Sequence, residues 1–263
     1  MIRSYRAELV KMLRRKVILI TSAVVAVFGV GGAAIVLASA KPAAQMPRDG
    51  RGFSLEQLSA AGGGTEVFRT AVAFAGTFLF VVFVGMVAAE FSRGTIRTML
   101  LRQPQRVRLL AGKLAALLTF AAVALVATEI ITWVTALALA PGKGVSTDAW
   151  TSLDAAGAAA TDFGAVLLWI TGYAVLGTMV GVLLRSVPVA LAVGIAWAGP
   201  FEHLVQNAWP SAVKVFPGLL LEAFVGGGTT DITTTRALAT VAAYVALAAV
   251  LTSIVFTRRD VTA

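Results

Sequence analysis

Long stretches of this chain carry almost no charge, and the charges that bracket them are mostly basic. That pattern constrains the fold more than any motif. An α-helix needs about 20 apolar residues in a row to cross a bilayer. Val17–Ala40, Phe68–Ala89, Leu114–Ala140 and Ala237–Thr257 meet this length, and Ala165–Leu184 is a fifth run. After Arg185-Ser186 a sixth run opens at Val187 and reaches residue 205, with Pro188 in the first turn, where a helix tolerates proline. The chain is 58% hydrophobic and 13% charged, whereas soluble domains carry about 25% charged residues. The expected fold is an all-α membrane protein, a single domain over residues 1–263 with six transmembrane helices.

The Lys and Arg residues orient those helices. Cytoplasmic loops of membrane proteins carry an excess of them. With the N-terminus inside, the inner segments hold Arg3, Arg6, Lys11, Arg14, Arg15, Lys16, Arg93, Arg97, Arg102, Arg106, Arg108, Lys113, Arg185, Arg258 and Arg259. The outer segments hold Lys41, Arg48, Arg51, Arg69, Lys143, Lys214 and Arg236. Fifteen against seven places both termini in the cytoplasm, and an even number of spans keeps Arg258 and Arg259 inside. The net charge of +9 therefore speaks for membrane orientation and not for nucleic acid. Cysteine is absent, which excludes thiolate and disulfide chemistry. The run from Val17 is too long for the core of a cleavable signal, so cleavage after Ala38-Ser39-Ala40 is not expected.

The connections differ in character. Lys41–Val67, with Gly62-Gly63-Gly64, and Pro141–Gly164 have the composition of flexible outer loops. Between Asn207 and Arg236 the apolar segments Val213–Phe216 and Leu219–Val225 are separated by Pro217-Gly218 and closed by Gly226-Gly227-Gly228. They are too short to span, which predicts a re-entrant or interfacial helix before the last crossing. At the N-terminus, residues 1–16 carry Ile2, Tyr5, Leu9, Met12 and Leu13 at helical spacing among bases. This predicts an amphipathic helix in the inner interface, with Tyr5, Leu9, Met12 and Leu13 toward lipid; a plain basic tail is the alternative.

Motifs for chemistry within the chain are missing. Gly112-Lys113 and Gly142-Lys143 are followed by Leu114 and Gly144, so neither is a phosphate-binding loop, and no nucleophile elbow occurs. One histidine, His203, stands beside Glu202; the pair reads as a helix end at the headgroups, with an intramembrane proton relay as the lesser reading. Glu129 lies inside the Leu114–Ala140 run among Thr128, Thr132 and Thr135. An ionisable group at that place faces a pathway or a subunit interface, or is neutral and bonded to its threonine neighbours or another helix. Gly177 and Gly181 have the spacing that lets two helices approach closely within a bundle.

The basic loop from residue 90 to 113 carries a resemblance. It reads Glu90-Phe91-Ser92-Arg93-Gly94-Thr95, then Leu100-Leu101-Arg102-Gln103-Pro104-Gln105-Arg106, then Gly112-Lys113-Leu114. With Leu184-Arg185-Ser186, Phe216-Pro217-Gly218, an amphipathic N-terminal helix and six spans, the chain resembles the permease subunit of a type-2 ATP-binding cassette (ABC) exporter of the bacterial separate-subunit kind. The resemblance implies a non-catalytic subunit of the bacterial cytoplasmic membrane that forms a substrate path. Its partners would be cytosolic ABC ATPase subunits, a second permease subunit (identical or different) and membrane lipid. It would hold no cofactor itself, ATP and magnesium being bound by the ATPase. The loop between the second and third spans would be the coupling helix, with Glu90, Arg93, Gly94, Thr95, Ile96, Arg97, Met99 and Leu100 meeting the ATPase. Ile96, Met99 and Leu100 would form an apolar ridge there, flanked by Arg93, Arg97 and Arg102. Unlike larger members, the chain has no large outer domain. Two other readings compete: a membrane anchor or assembly subunit without transport, and a membrane-embedded enzyme, whose acid, base or metal cluster is lacking from the sequence.

Overall fold

The computed structural model describes residues 1–46, 52–73 and 76–259, without the side chains of residues 76, 77, 198 and 199. Arg48 and Arg51, counted above among the outer charges, and residues 74 and 75 of the expected second span lie outside the described residues. The described chain is helical: α1 (Ile2–Met12), α2 (Arg15–Ser39), α3 (Leu55–Ser59), α4 (Gly63–Ala73), α5 (Gly76–Ser92), α6 (Thr95–Arg102), α7 (Arg106–Leu139), α8 (Leu153–Leu184), α9 (Val187–Ala196), α10 (Glu202–Ala208), α11 (Pro217–Val225) and α12 (Thr234–Arg258). No β-strand forms among these residues, only an isolated bridge between Lys41 and Ser54.

Four described helices are long and apolar enough to cross a membrane: α2, α7, α8 and α12. Taken as one broken segment, α4 and α5 would make a fifth. The expected spans at 17–40 and 237–257 coincide closely with α2 and α12. The expected spans at 114–140 and 165–184 are the apolar parts of longer helices, since α7 begins at Arg106 and α8 at Leu153. The 187–205 run is not one regular helix. Helix α9 has 10 residues, about 15 Å at 1.5 Å per residue, against a hydrocarbon core of about 30 Å. Beyond it, Trp197–Phe201 opens into a wide π-type turn containing Pro200, and α10 follows. Proline has no amide hydrogen to give a helix, a usual cause of such a break.

The chain divides into two compact units, one of Met1–Leu13, Gly76–Phe120 and Leu168–Ala263, the other of Arg14–Ala75 and Ala121–Leu167. In the first unit small residues let helices meet. A Cβ on Gly177 would lie 2.9 Å from Phe83 Cβ, and one on Gly181 2.7 Å from Val87 Cβ, so α8 and α5 are in near-backbone contact at the spacing noted in the sequence. Ile96, Leu109, Val182 and Phe256 form a buried cluster there. Helix ends are tied by arginines: Arg106 donates to the carbonyls of Phe256 (2.9 Å) and Arg259 (3.0 Å), and Arg259 donates to Leu183 O (3.1 Å). Arg185 itself takes a left-handed conformation (φ 54°) just past α8 and lies 5.0 Å over the Phe91 ring. Burial, then the charges of Arg259 and Arg106, lower its pKa. Cations are favoured at helix C-termini, where carbonyls have no partner within the helix. These arginines therefore hold helix ends together besides any part they play in orientation.

In the second unit Ala33, Val36, Leu37, Leu58, Val67, Ala136, Ala140, Val145 and Trp150 form the core. The glycines expected to be a flexible loop are part of it. Gly63 and Gly64 are buried at the start of α4, and a Cβ on Gly63 would run into the Leu58 carbonyl. Composition read as mobility is here close approach of one backbone to another. Gly32 on α2 likewise abuts Ala71 on α4 with no room for a side chain.

Candidate functional site

Three places gather the polar groups singled out by sequence. The first is built around the loop from 90 to 113. Gly94 takes φ 67°, a conformation glycine adopts freely, and turns the chain from α5 into α6. Thr95 donates its hydroxyl to Glu90 O (3.0 Å) across that turn. The short helix expected here is α6, and its apolar residues pack toward the chain's own core. Ile96 is 2% exposed, and Met99 and Leu100 pack against the same cluster inside the chain. The outward face presents Arg93, Arg97 and Arg102, with Leu101 82% exposed. Beside it an open cleft of about 1060 Å³ is lined by Ile2, Arg3, Lys11, Met99, Arg102 and Arg108.

Helix α1 sits over this region, held by a polar contact. Ser4 and Glu8 are buried together with Met12, whereas Tyr5 and Leu9 are half-buried and Leu13 is 60% exposed. Of the four residues expected to face lipid, Met12 thus turns inward and Leu13 stays outward with Ile2 and Val10. Ser4 donates to Leu109 O (2.9 Å), and Gly112 on α7 leaves room for the crossing: a Cβ there would lie 2.7 Å from Met1 O. Lys113 then donates to Glu8 Oε1 (2.7 Å) and Glu90 Oε1 (2.6 Å), and Lys11 to Glu8 Oε1 (2.7 Å). Lys11 also stands 3.7 Å from Glu90. Burial would raise the Glu8 pKa, but hydrogen bonds and charge from Lys11 and Lys113 outweigh it and hold the carboxyl below its usual range. One ammonium thus joins three helices: α1 through Glu8, the end of α5 through Glu90, and α7, which carries Lys113. Glu8 was not among the sequence candidates. Its only sequence signal was an acid three residues from Lys11, which reads as a surface pair.

The second place is the N-terminus of α11. Glu202 is 2% exposed, and its carboxylate accepts from the backbone N–H of Leu219 (2.8 Å) and Gly218 (3.3 Å). It satisfies donors of the first turn that have no partner inside the helix. His203 turns elsewhere, with Nε2 3.1 Å from Glu222 Oε2. The neighbours considered as a relay therefore engage different partners: Glu202 caps a helix and His203 meets a second acid.

The third place is Glu129, in the second unit. None of the neighbouring threonines bonds to it. Thr128 donates to Ala124 O (2.9 Å) and Thr135 to Ile131 O (2.7 Å), each within its own helix. Oε1 of Glu129 is buried without a hydrogen-bond partner among the described residues. The side chain lines a cavity of about 490 Å³ with Trp133, Trp150, Gly64, Thr65 and Ser152. Trp150, 3% exposed, is locked by donation from Nε1 to Leu58 O (2.9 Å). Gly64 lies where the two indoles converge: a Cβ there would be 3.1 Å from Trp133 Cδ1 and 3.2 Å from Trp150 Cδ2. The nearby Asp162 is engaged by Arg69 (3.2 Å) and Thr65 (2.8 Å). Trp133 and Trp150 were not among the sequence candidates, since only the fold brings them together around Gly64.

The described residues thus form an all-helical structure, and its four long apolar helices are compatible with a multi-pass membrane protein. Residues 51–262 match the family described as protein of unknown function (DUF2705), and the chain belongs to that family. No curated protein and no solved structure matches it.

Proposed function

We propose that this chain is the membrane subunit of an ATP-driven exporter, non-catalytic itself and coupled through α6 to a cytosolic ABC ATPase. In this reading six segments cross the bacterial cytoplasmic membrane, with α4–α5 as one crossing and α9, its π-type turn and α10 as another. Both termini face the cytosol, α1 lies at the inner interface, and a second permease subunit completes the path. ATP and magnesium belong to the ATPase.

The observation that carries the reading is the construction of α6. It is a helix of 8 residues whose apolar side packs in its own unit and whose outer side shows Arg97, Arg102 and Leu101, with Arg93 exposed in the turn just before it. Behind it the Glu90–Lys113–Glu8 contacts tie the end of α5 to α7 and α1. A lever that passes force from a partner needs both an exposed face of defined charge and a stiff mounting. Basic side chains around a protruding leucine suit a groove with an acidic rim and an apolar floor, because complementary charge steers docking and buried apolar contact holds it. The amphipathic ridge of the sequence reading is thereby reassigned: Ile96, Met99 and Leu100 anchor the helix, and Leu101 takes their place at the partner's surface.

The test is co-purification of the ATPase with the membrane-inserted subunit. Charge reversal at both Arg93 and Arg97, or Leu101→Asp alone, is expected to cut ATPase recovery about tenfold, the size of a single good interfacial contact. Arg258→Glu, outside α6, should leave recovery unchanged. Full recovery with the α6 variants, at normal insertion, would reject coupling through this helix and leave a membrane anchor as the better reading.

A further inference from the structure

We infer that the cavity at Glu129 is a binding site for a lipophilic organic cation, recognised by one carboxylate and the indole rings of Trp133 and Trp150. The inference deepens the exporter reading by naming a class of cargo, but the site is argued from its own geometry.

A carboxylate oxygen buried without a partner costs several kcal/mol unless a compensating group arrives or the acid takes up a proton. Glu129 Oε1 is in that position, and no hydrogen bond joins it to Thr128, Thr132 or Thr135. What can approach is set by the remaining walls. Trp133 and Trp150 pack against Gly64 and both line the cavity, and Trp150 is fixed there by its bond to Leu58 O. Cations are attracted to the faces of aromatic rings, most strongly to tryptophan, and more so when desolvated. At about 490 Å³ the cavity falls in the roughly 300–1,000 Å³ range of small-molecule sites. Thr65, Thr151 and Ser152 add limited polarity, and the rest of the wall is largely alanine and branched aliphatic. Such a half-open pocket fits an apolar body that carries a single diffuse positive charge.

Other cationic occupants fit less well. A bare metal ion takes several oxygen ligands, and Glu129 is the single carboxylate among the cavity's lining residues. Among the described residues no three His, Cys, Asp or Glu side chains gather into a metal-holding group. The neighbouring cation, Arg69, is committed to Asp162 at 3.2 Å and to Glu66 at 3.8 Å and does not line the cavity.

The test uses the purified full chain in phosphatidylcholine nanodiscs, without any ATPase. Tetraphenylphosphonium and tetraphenylborate have matched shape and opposite charge, so once each ion's uptake by empty nanodiscs is subtracted their difference isolates charge from greasiness. The phosphonium is expected to quench tryptophan fluorescence saturably and to bind at least about tenfold more tightly than the borate, the scale of a desolvated cation–π and ion-pair contact. Glu129→Gln should remove that preference, and Trp133→Leu should weaken phosphonium binding by a similar factor. Gly64→Val should weaken binding of both ions, because a side chain there would push aside the two indoles that line the cavity. Equal affinity of the unmodified protein for the two ions would overturn the inference; it would mean apolar partitioning, or a Glu129 that stays protonated and takes no part. Because that comparison needs no variant, it holds even where a substitution spoils folding. Phosphonium binding that survives while ATPase recovery fails would reject the exporter and keep the site. The reverse result would reject the site and keep the exporter.

Discussion

Replacing Lys113 by methionine is expected to cost about 3–5 kcal/mol of stability, the range found when one partner of a buried charge pair is removed and the other is stranded. Lys113 donates hydrogen bonds to both Glu8 and Glu90, and the three side chains are only 12%, 7% and 19% exposed. Without it two carboxylates face the same space with only Lys11 to share, at 2.7 Å and 3.7 Å. The measurement is thermal unfolding of the detergent-purified protein, followed by loss of monodispersity. Glu8→Gln with Lys113→Met should be milder than the sum of the two single changes, since residues in one contact network do not add. The same cluster sets a pH dependence. Glu8 has a lowered folded pKa, so its contribution is complete above the ordinary carboxylate value and disappears as pH falls through the folded one. Wild-type stability attributable to Glu8 should therefore be flat from neutral pH down to the ordinary carboxylate range and then decline, and Glu8→Gln should flatten that decline. An Lys113→Met protein as stable as wild type would show that the ammonium is not what fastens α1.

Such contacts mark the boundary of what a reader of the sequence can know. Helices α2 and α12 were legible almost to the residue because a long uncharged run admits few structures besides a helix. Helix α11 was legible from its breakers: Pro217 opens it, and Gly227 and Gly228 end it with positive φ of 82° and 100°. Helix α6 was legible as an amphipathic turn, but periodicity says only that one face is apolar. Whether Ile96 meets the chain's own Leu109 and Phe256 or another molecule depends on contacts far away in sequence. In α1 the apolar periodicity pointed to a lipid-facing stripe, while the fold buries the stripe of Ser4, Glu8 and Met12. A polar stripe is buried only when a partner supplies the opposite charge, and that partner, Lys113, lies 105 positions away. For Glu129 the sequence could find the charge but not its surroundings, because Trp150 comes from another connection and reaches the cavity through its lock on Leu58.

Gly218→Ala is expected to destabilise the chain by about 2 kcal/mol or more, through a steric clash that also displaces a hydrogen-bonded carboxylate. The glycine abuts the Glu202 carboxylate: a Cβ would lie 3.1 Å from its carboxyl carbon and nearer still to Oε2. That carboxylate is held in place by the Gly218 and Leu219 amides, so it cannot retreat without leaving both donors unsatisfied. Glu202→Gln replaces one accepting oxygen by an N–H₂ that faces backbone donors, and should itself cost about 1–3 kcal/mol. The decisive measurement is a double-mutant cycle in thermal unfolding. Glu202→Ala empties the space that a methyl at 218 would need, so in that background Gly218→Ala should cost little. The coupling between the two positions then approaches the whole cost of the single glycine change. An equal penalty in both backgrounds would mean that the glycine serves the backbone turn into α11 and not the carboxylate, and Glu202 would lose its role as the cap of that helix. A positive result would explain Pro217-Gly218 physically: the proline opens the helix without needing a donor, and the glycine clears a path for a distant acid to reach the amides behind it.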